Sequence, residues 1–326
     1  MEFLKQNKKI IVILGVLFLL LIINTSVNMV ATGKIDDEIQ STIKDLNVGD
    51  DVEIEYEDIS YSFISSTLSF DNVSIREDDE YLKIEEISIK FDPDAIPSKK
   101  DFEDGKLEVD LSDFKLSLEN LKFVADGALF KQKKLNINFD GSFSGDMLST
   151  KYLLIDAEGT DLSADGIGAS IGNLGIKFES ENSINIMDIE REVGKIKGFD
   201  DLNDMSLEMN VENYDLSRAI VKEFNLDDLG ISELEGKEIE LRFAKDNQEV
   251  DFGLELGSES IGSIDVEGNL DFSKDTDDPY VELKLTLEDL DKNIDKMLRR
   301  SKLKETKNGY ELDFEGRLNK LQKSIF

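Results

Sequence analysis

The chain has 326 residues, a net charge of −34, and no Cys, His or Trp. Those absences remove thiolate and imidazole metal sites, disulfides, thiol nucleophiles and the commonest general base. A surface this acidic repels phosphate backbones, so nucleic-acid binding is excluded as well.

Residues 1–9 carry Lys5, Lys8 and Lys9 against Glu2 and read as a cytoplasmic tail. Ile10 to Ile23 is IIVILGVLFLLLII, and uncharged sequence continues to Ala31. The 22 residues of 10–31 suit a transmembrane helix, which needs about 20. With lysines before it and acidic residues after it, the positive-inside rule leaves the N-terminus in the cytoplasm. The expectation is a single-pass protein of the cytoplasmic membrane with an extracytoplasmic body, of the bacterial cell-envelope (periplasmic) type. A cleaved signal peptide is the rival reading, but Met29-Val30-Ala31 is a poor cleavage site.

Residues 32–48 form an amphipathic connector, with Ile35, Ile39, Ile43 and Leu46 at helical spacing. Residues 49–326 read as one exported β-rich domain, because no linker rich in Pro, Gly or Ser divides them. From Val52 the apolar period is two: Val52, Ile54 and Tyr56 alternate with Glu. The pattern returns at Leu107–Leu111, Leu135–Phe139, Leu174–Phe178, Met205–Val211, Ile239–Phe243, Phe252–Leu256, Ile264–Val266 and Val281–Leu285. Such runs make half-buried antiparallel strands with one apolar and one wet face. The fold class is therefore mainly β with a few short helices, about a dozen strands in all.

Three runs contain a polar pair that shifts the alternation by one: Asp71-Asn72, Glu85-Glu86 and Ser112-Asp113. Each pair is either a hairpin turn or a bulge that returns the second half of a strand to its original face. Glu-Glu is a poor turn dipeptide, which favours long strands bent by bulges into a curved, elongated sheet. Helices are expected at Ile186–Ile196, at Leu216–Phe224 after Asp215, and at Leu287–Lys304 behind the Thr286–Asp289 capping sequence. A last strand holds Tyr310, Leu312 and Phe314.

Candidate chemistry is sparse. The acidic loops Asp92-Pro93-Asp94, Asp156/Asp161/Asp165 and Asp275–Asp278 lack the spacing of a twelve-residue calcium loop and read as solvated. Carboxylate pairs for glycoside hydrolysis have no Trp platform beside them. No catalytic residue, metal or cofactor is assigned, and the chain is read as a non-enzyme. The one basic island, Lys296 to Lys307, offers Lys296, Arg299, Arg300, Lys302 and Lys304 for contact with a membrane surface.

The hydrophobic helix followed by Ala31-Thr32-Gly33-Lys34-Ile35, and the segment YEDISYSFISSTLSF at 56–70, resemble the bacterial YdgA-like proteins, a family of unknown function. More broadly, SFDNVSI at 69–75, LKIEEISIKFDP at 82–93 and KLEVDLSDFKLSLEN at 106–120 are similar to AsmA-like envelope proteins. Those are regarded as long β-grooves that carry phospholipid. The resemblance implies an elongated, curved, groove-like antiparallel sheet whose apolar face binds or shields membrane lipid, in transport or envelope maintenance. Its lining would be Leu68, Phe70, Leu82, Ile84, Leu107, Val109, Leu111, Phe114, Leu116, Leu118, Leu135, Ile137 and Phe139. The alternative is a closed β-sandwich, a structural or interaction module that binds an envelope protein partner.

Overall fold

The computed structural model describes residues 52–62, 64–77, 79–92, 108–125, 127–144, 147–164, 167–185, 204–223, 234–273 and 278–325. The expected transmembrane helix at 10–31, the connector at 32–48 and the expected helix at 186–196 lie outside them. Among the described residues no helix is long and apolar enough to cross a membrane. The protein is mainly β: sixteen antiparallel strands and three short helices are described. The chain divides into two compact units, Met1–Ser149 and Thr150–Phe326.

Unit 1 contains β1 (Val52–Glu55), β2 (Asp58–Ser62), β3 (Thr67–Glu77), β4 (Glu80–Lys90), β5 (Glu108–Asp110), β6 (Phe114–Ala125) and β7 (Ala128–Ser144). They pair in the order β3-β4-β6-β7; β1 and β2 share the outer edge of β3, and β5 extends beside β7. The two polar pairs in β3 and β4 are neither turns nor bulges that shift the register, which is the same on both sides of them. Both strands run unbroken through them, and pairing lapses only at Asn72 and Glu85. At Ser112-Asp113 the strand breaks, but both halves stay on β7 with a one-residue change of register, which makes this pair the expected bulge.

The device that makes the correction is a residue in the left-handed region. Asn72 (φ +52°) and Asn120 (φ +51°) sit in mid-strand, and Asn tolerates that conformation better than most residues. Their amides donate to neighbouring carboxylates, Asn72 to Glu57 and Asn120 to Glu85. The consequence is one continuous apolar face. Phe70 opposes Ile87, which opposes Leu118, which opposes Leu135; beyond the left-handed residues Ile75 opposes Leu82, which opposes Phe123, which opposes Phe130. The driest part lies on β3 and β4, where Leu68 and Ile89 are 0% exposed.

Unit 2 contains most of β8 (Met147–Ala164), then β9 (Ile167–Asn185), β10 (Met205–Leu216), α1 (Arg218–Glu223), β11 (Leu234–Asp246), β12 (Glu249–Ser258), β13 (Gly262–Asp271), β14 (Tyr280–Glu288), α2 (Lys292–Leu298), β15 (Lys304–Glu305), β16 (Gly309–Arg317) and α3 (Leu318–Ile325). From β8 to β14 the strands pair in sequence order, and β16 and then β15 complete the edge. Asn213 repeats the device of unit 1 at φ +52°. Just beyond it Tyr214 lies over Gly236, where an added Cβ would stand 2.2 Å from the tyrosine oxygen. The Tyr214 hydroxyl donates to the Gly257 carbonyl at 3.1 Å, and burial raises its pKa.

Two helical expectations are corrected here. The helix expected over Leu287–Lys304 is confined to Lys292–Leu298, because Leu287 continues β14 and pairs with Ile264 and Tyr310. Its N-cap is Asp291, which accepts from the Asn293 amide, and not the Thr286 sequence. The helix expected from Leu216 starts at Arg218, because Asp215 and Leu216 remain paired in β10.

Candidate functional site

The burial of the expected lining residues, where it is described, divides them. Leu68, Phe70, Leu82, Ile84 and Phe139 are buried, the first four in one core cluster with Ile87 and Ile89. Leu111, Phe114, Leu116, Leu118, Leu135 and Ile137 are half-buried. Phe114, Leu116 and Leu118 oppose Phe139, Ile137 and Leu135 across β6 and β7, so these six share one face. Val109 is in β5, its side chain outside what is described, and Leu107 lies outside the described residues.

Unit 2 presents a wider apolar surface that was not singled out in the sequence. One transverse row reads Phe178, Leu207, Phe243, Phe252, Gly268, Leu283 and Phe314, one residue from each of seven adjacent strands. The next reads Ile176, Met209, Leu241, Leu254, Val266, Leu285 and Leu312. Neither row contains a polar side chain. Apart from Gly268 and the buried Leu312, every member is a half-buried apolar residue. Gly268 leaves room for the Phe252 ring, since an added Cβ would lie 2.3 Å from its tip. A third row, from Leu174 and Val211 to Leu287 and Tyr310, is drier, because α1 and α2 contribute Val221 and Ile294 to the cluster beside it.

No family model, curated protein or solved structure matches the chain.

The site must therefore be read from its own chemistry. At one end of the apolar rows Lys245 is 5% exposed and its Nζ lies 3.0 Å from Asp204 Oδ1. That hydrogen bond, with a second from the Asn247 amide, holds the Asp204 carboxyl below its ordinary pKa. The opposite face is charged. Its central row alternates sign as Lys177, Glu208, Arg242, then Gly253, Glu267, Lys284 and Asp313. A concavity of about 940 Å³ opens around Gly253, with six carboxylates and the cations of Arg242 and Lys284 along its walls. Among the described residues no group of three or more acidic side chains is arranged to hold a metal ion.

The basic island lies at the far edge of unit 2. Its charges are partly engaged within the chain. Arg299 Nη2 is 2.8 Å from Asp295 Oδ2, and Lys304 pairs with Glu311. Asp295 is held below its ordinary range, first by the hydrogen bond from the Tyr310 hydroxyl at 2.8 Å and then by Arg299. Lys296, Arg300 and Lys302 are exposed, as is Met297 between them.

Proposed function

We propose that this chain is a membrane-anchored, non-enzymatic envelope protein whose apolar sheet face binds or shields the acyl chains of lipid. The observation that carries the reading is the pair of half-buried apolar rows across β9 to β16. From β9 to β14 each strand is hydrogen-bonded on both sides, so there the rows need no further strand. What they need is apolar cover, because a sheet with one apolar face must bury it against something. Contiguous apolar surface beyond a few hundred Å² marks an interaction or ligand site. Flexible hydrocarbon chains fit two parallel rows of Phe, Leu, Ile and Met without any directional polar contact. The hydrophobic sequence at 10–31 supplies the tether, and the likeness to AsmA-like proteins points the same way.

One observation favours a dry interaction module instead. Leu68 and Ile89 in unit 1 are fully covered, and Tyr214 and Val221 in unit 2 nearly so; these parts form core, and the acyl seat is assigned to the half-buried rows of unit 2.

The test is photocrosslinking in the full-length protein in its membrane. A benzophenone side chain replacing Leu241 or Leu254 should crosslink to phospholipid. The same group replacing Arg242 or Glu255, adjacent in sequence but on the opposite face, should not. Crosslinks from positions 241 and 254 to protein alone would replace lipid carriage with a protein-binding face.

A further inference from the structure

Charge falls along this chain in three blocks. Residues 1–34 carry four Lys against one Glu, and residues 292–326 carry ten Lys or Arg against five Asp or Glu. Residues 35–291 therefore hold a net −42. The second cationic block is the far edge of unit 2. It contains α2, β15, β16 and α3. Gly309 opposes Glu288 and Arg317 opposes Tyr280, so α2 and β15 flank one end of β16 and α3 the other. A nine-residue strand places those ends about 30 Å apart.

Each end shows a large apolar side chain among its cations. Met297 is 52% exposed and Leu318 43%, two of the four large apolar residues most open to solvent among those described. The stretch from Gly316 to Phe326 holds Arg317, Lys320 and Lys323 and no acidic residue. Both helices are tied down. The Asp278 carboxylate accepts from the Asn319 amide at 3.0 Å and from its Nδ2 at 2.7 Å, and Arg317 Nη1 donates to the Asp278 carbonyl at 2.6 Å. At the other end Asp291 caps α2, and the Tyr310 hydroxyl donates to Asp295.

We propose that this edge seats unit 2 on an anionic membrane surface, with Met297 and Leu318 entering the boundary between headgroups and acyl chains. Cations alone would suit the acidic body of a second copy equally well. Exposed Met and Leu among Lys and Arg are instead the composition of an interfacial element. The −42 of the intervening chain is repelled by anionic headgroups, so approach through this edge is the electrostatically favoured one. The proposal rests on the membrane-tethered reading for nearness to a bilayer and does not require the acyl-binding face.

The chain has no Trp, so Met297→Trp or Leu318→Trp introduces a single indole reporter. Full-length protein carrying either would be reconstituted into vesicles of phosphatidylcholine alone or mixed with phosphatidylglycerol. Both reporters should shift to the blue, and be quenched by brominated acyl chains, only in the anionic vesicles. In 1 M salt the quenching should fall by about half or more, because the screening length shrinks to about 3 Å. Adding Lys320→Glu and Lys323→Glu to Leu318→Trp should abolish its shift. An indole that stays in water at either end, or one that shifts equally in phosphatidylcholine alone, overturns the proposal. So does a shift in lipid-free detergent that grows with protein concentration, which would assign the edge to contact between copies. Crosslinking at Leu254 reads the acyl seat separately, so either idea can fail while the other stands.

Discussion

Asn120 stands in the middle of β6 at φ +51°, and the sheet face depends on it. It lets Phe114, Leu116 and Leu118 before it share a face with Leu121 and Phe123 after it; strict alternation would point the second group into water. Replacing it with alanine forces a Cβ-bearing residue without a stabilising amide into the left-handed region, at about 1–2 kcal/mol. The bond from Asn120 Nδ2 to Glu85 Oε2, 2.7 Å and exposed, is lost too, and is worth about 0.5–1 kcal/mol. Asn120→Ala should therefore lose roughly 2 kcal/mol. Asn120→Gly loses the same bond but adopts positive φ freely, and should cost roughly 1 kcal/mol. Urea unfolding of the full-length protein, followed by far-ultraviolet circular dichroism, measures both. If glycine is no better than alanine, backbone conformation is not what places Asn at this position, and the left-handed account is refuted.

Three further outcomes follow from the same structure. Asp204→Ala should lower the urea unfolding midpoint because it removes the carboxylate beside a buried ammonium, whereas Lys245→Met should lower it less. The native Asp204 carboxyl binds its proton less readily than the unfolded chain does. Its contribution is therefore complete above the ordinary carboxylate value of about 3.9 and drains away as pH falls through the lower native value. Melting temperature between pH 6 and pH 3 should accordingly fall less steeply in Asp204→Asn than in the unaltered protein. Gly236→Ala would put a Cβ 2.2 Å from the Tyr214 oxygen and 2.3 Å from the Gly257 carbonyl. It should destabilise by about 1–3 kcal/mol, and Tyr214→Phe, which loses the hydroxyl and its bond to Gly257, by about 1 kcal/mol; thermal melts of the two variants rank them.

The strands were legible because strict alternation of apolar and polar residues suits a pleated strand and no helix. Every alternating run from Val52 to Leu285 lies at least partly in a strand, and two of the three polar pairs fall inside unbroken ones. The left-handed residues Asn120 and Asn213 were missed although their signature was present. Leu68–Ile75, Leu116–Phe123 and Met209–Leu216 share one order: apolar, polar, apolar, acidic, Asn, apolar, polar, apolar. The acidic–Asn pair is what marks the left-handed residue. The overlong helix at 287–304 arose because Leu287 fits two periods at once, that of β14 behind it and that of Leu290, Ile294 and Leu298 ahead. Pairing with Ile264 and Tyr310 decided it, and such partners are invisible in a local window. β8 was missed because its second half, Asp156 to Ala164, has too few apolar residues to alternate. α3 was missed because Leu318, Leu321 and Ile325 span barely two turns.

Whether an apolar face is covered is a different kind of question, and alternation does not carry the answer. Ile87-Ser88-Ile89 and Phe252-Gly253-Leu254 have the same pattern, yet Ile89 is sealed and Leu254 is half-buried. The difference comes from what packs on top, which is set by segments distant in sequence. Charge, by contrast, accumulates along the chain and can be read directly. The acidic middle and the two cationic ends were both present in the composition, but their meaning depended on β16 separating α2 from α3. A basic helix end is ordinarily explained by the helix dipole. That account suffices for Arg299, which pairs with Asp295 on its own helix. It does not reach Arg317 and Lys320, which stand at the start of α3, where the dipole favours acidic side chains. Cations placed against the dipole, beside an exposed Leu318, are the observation from which the membrane seat of this edge is proposed.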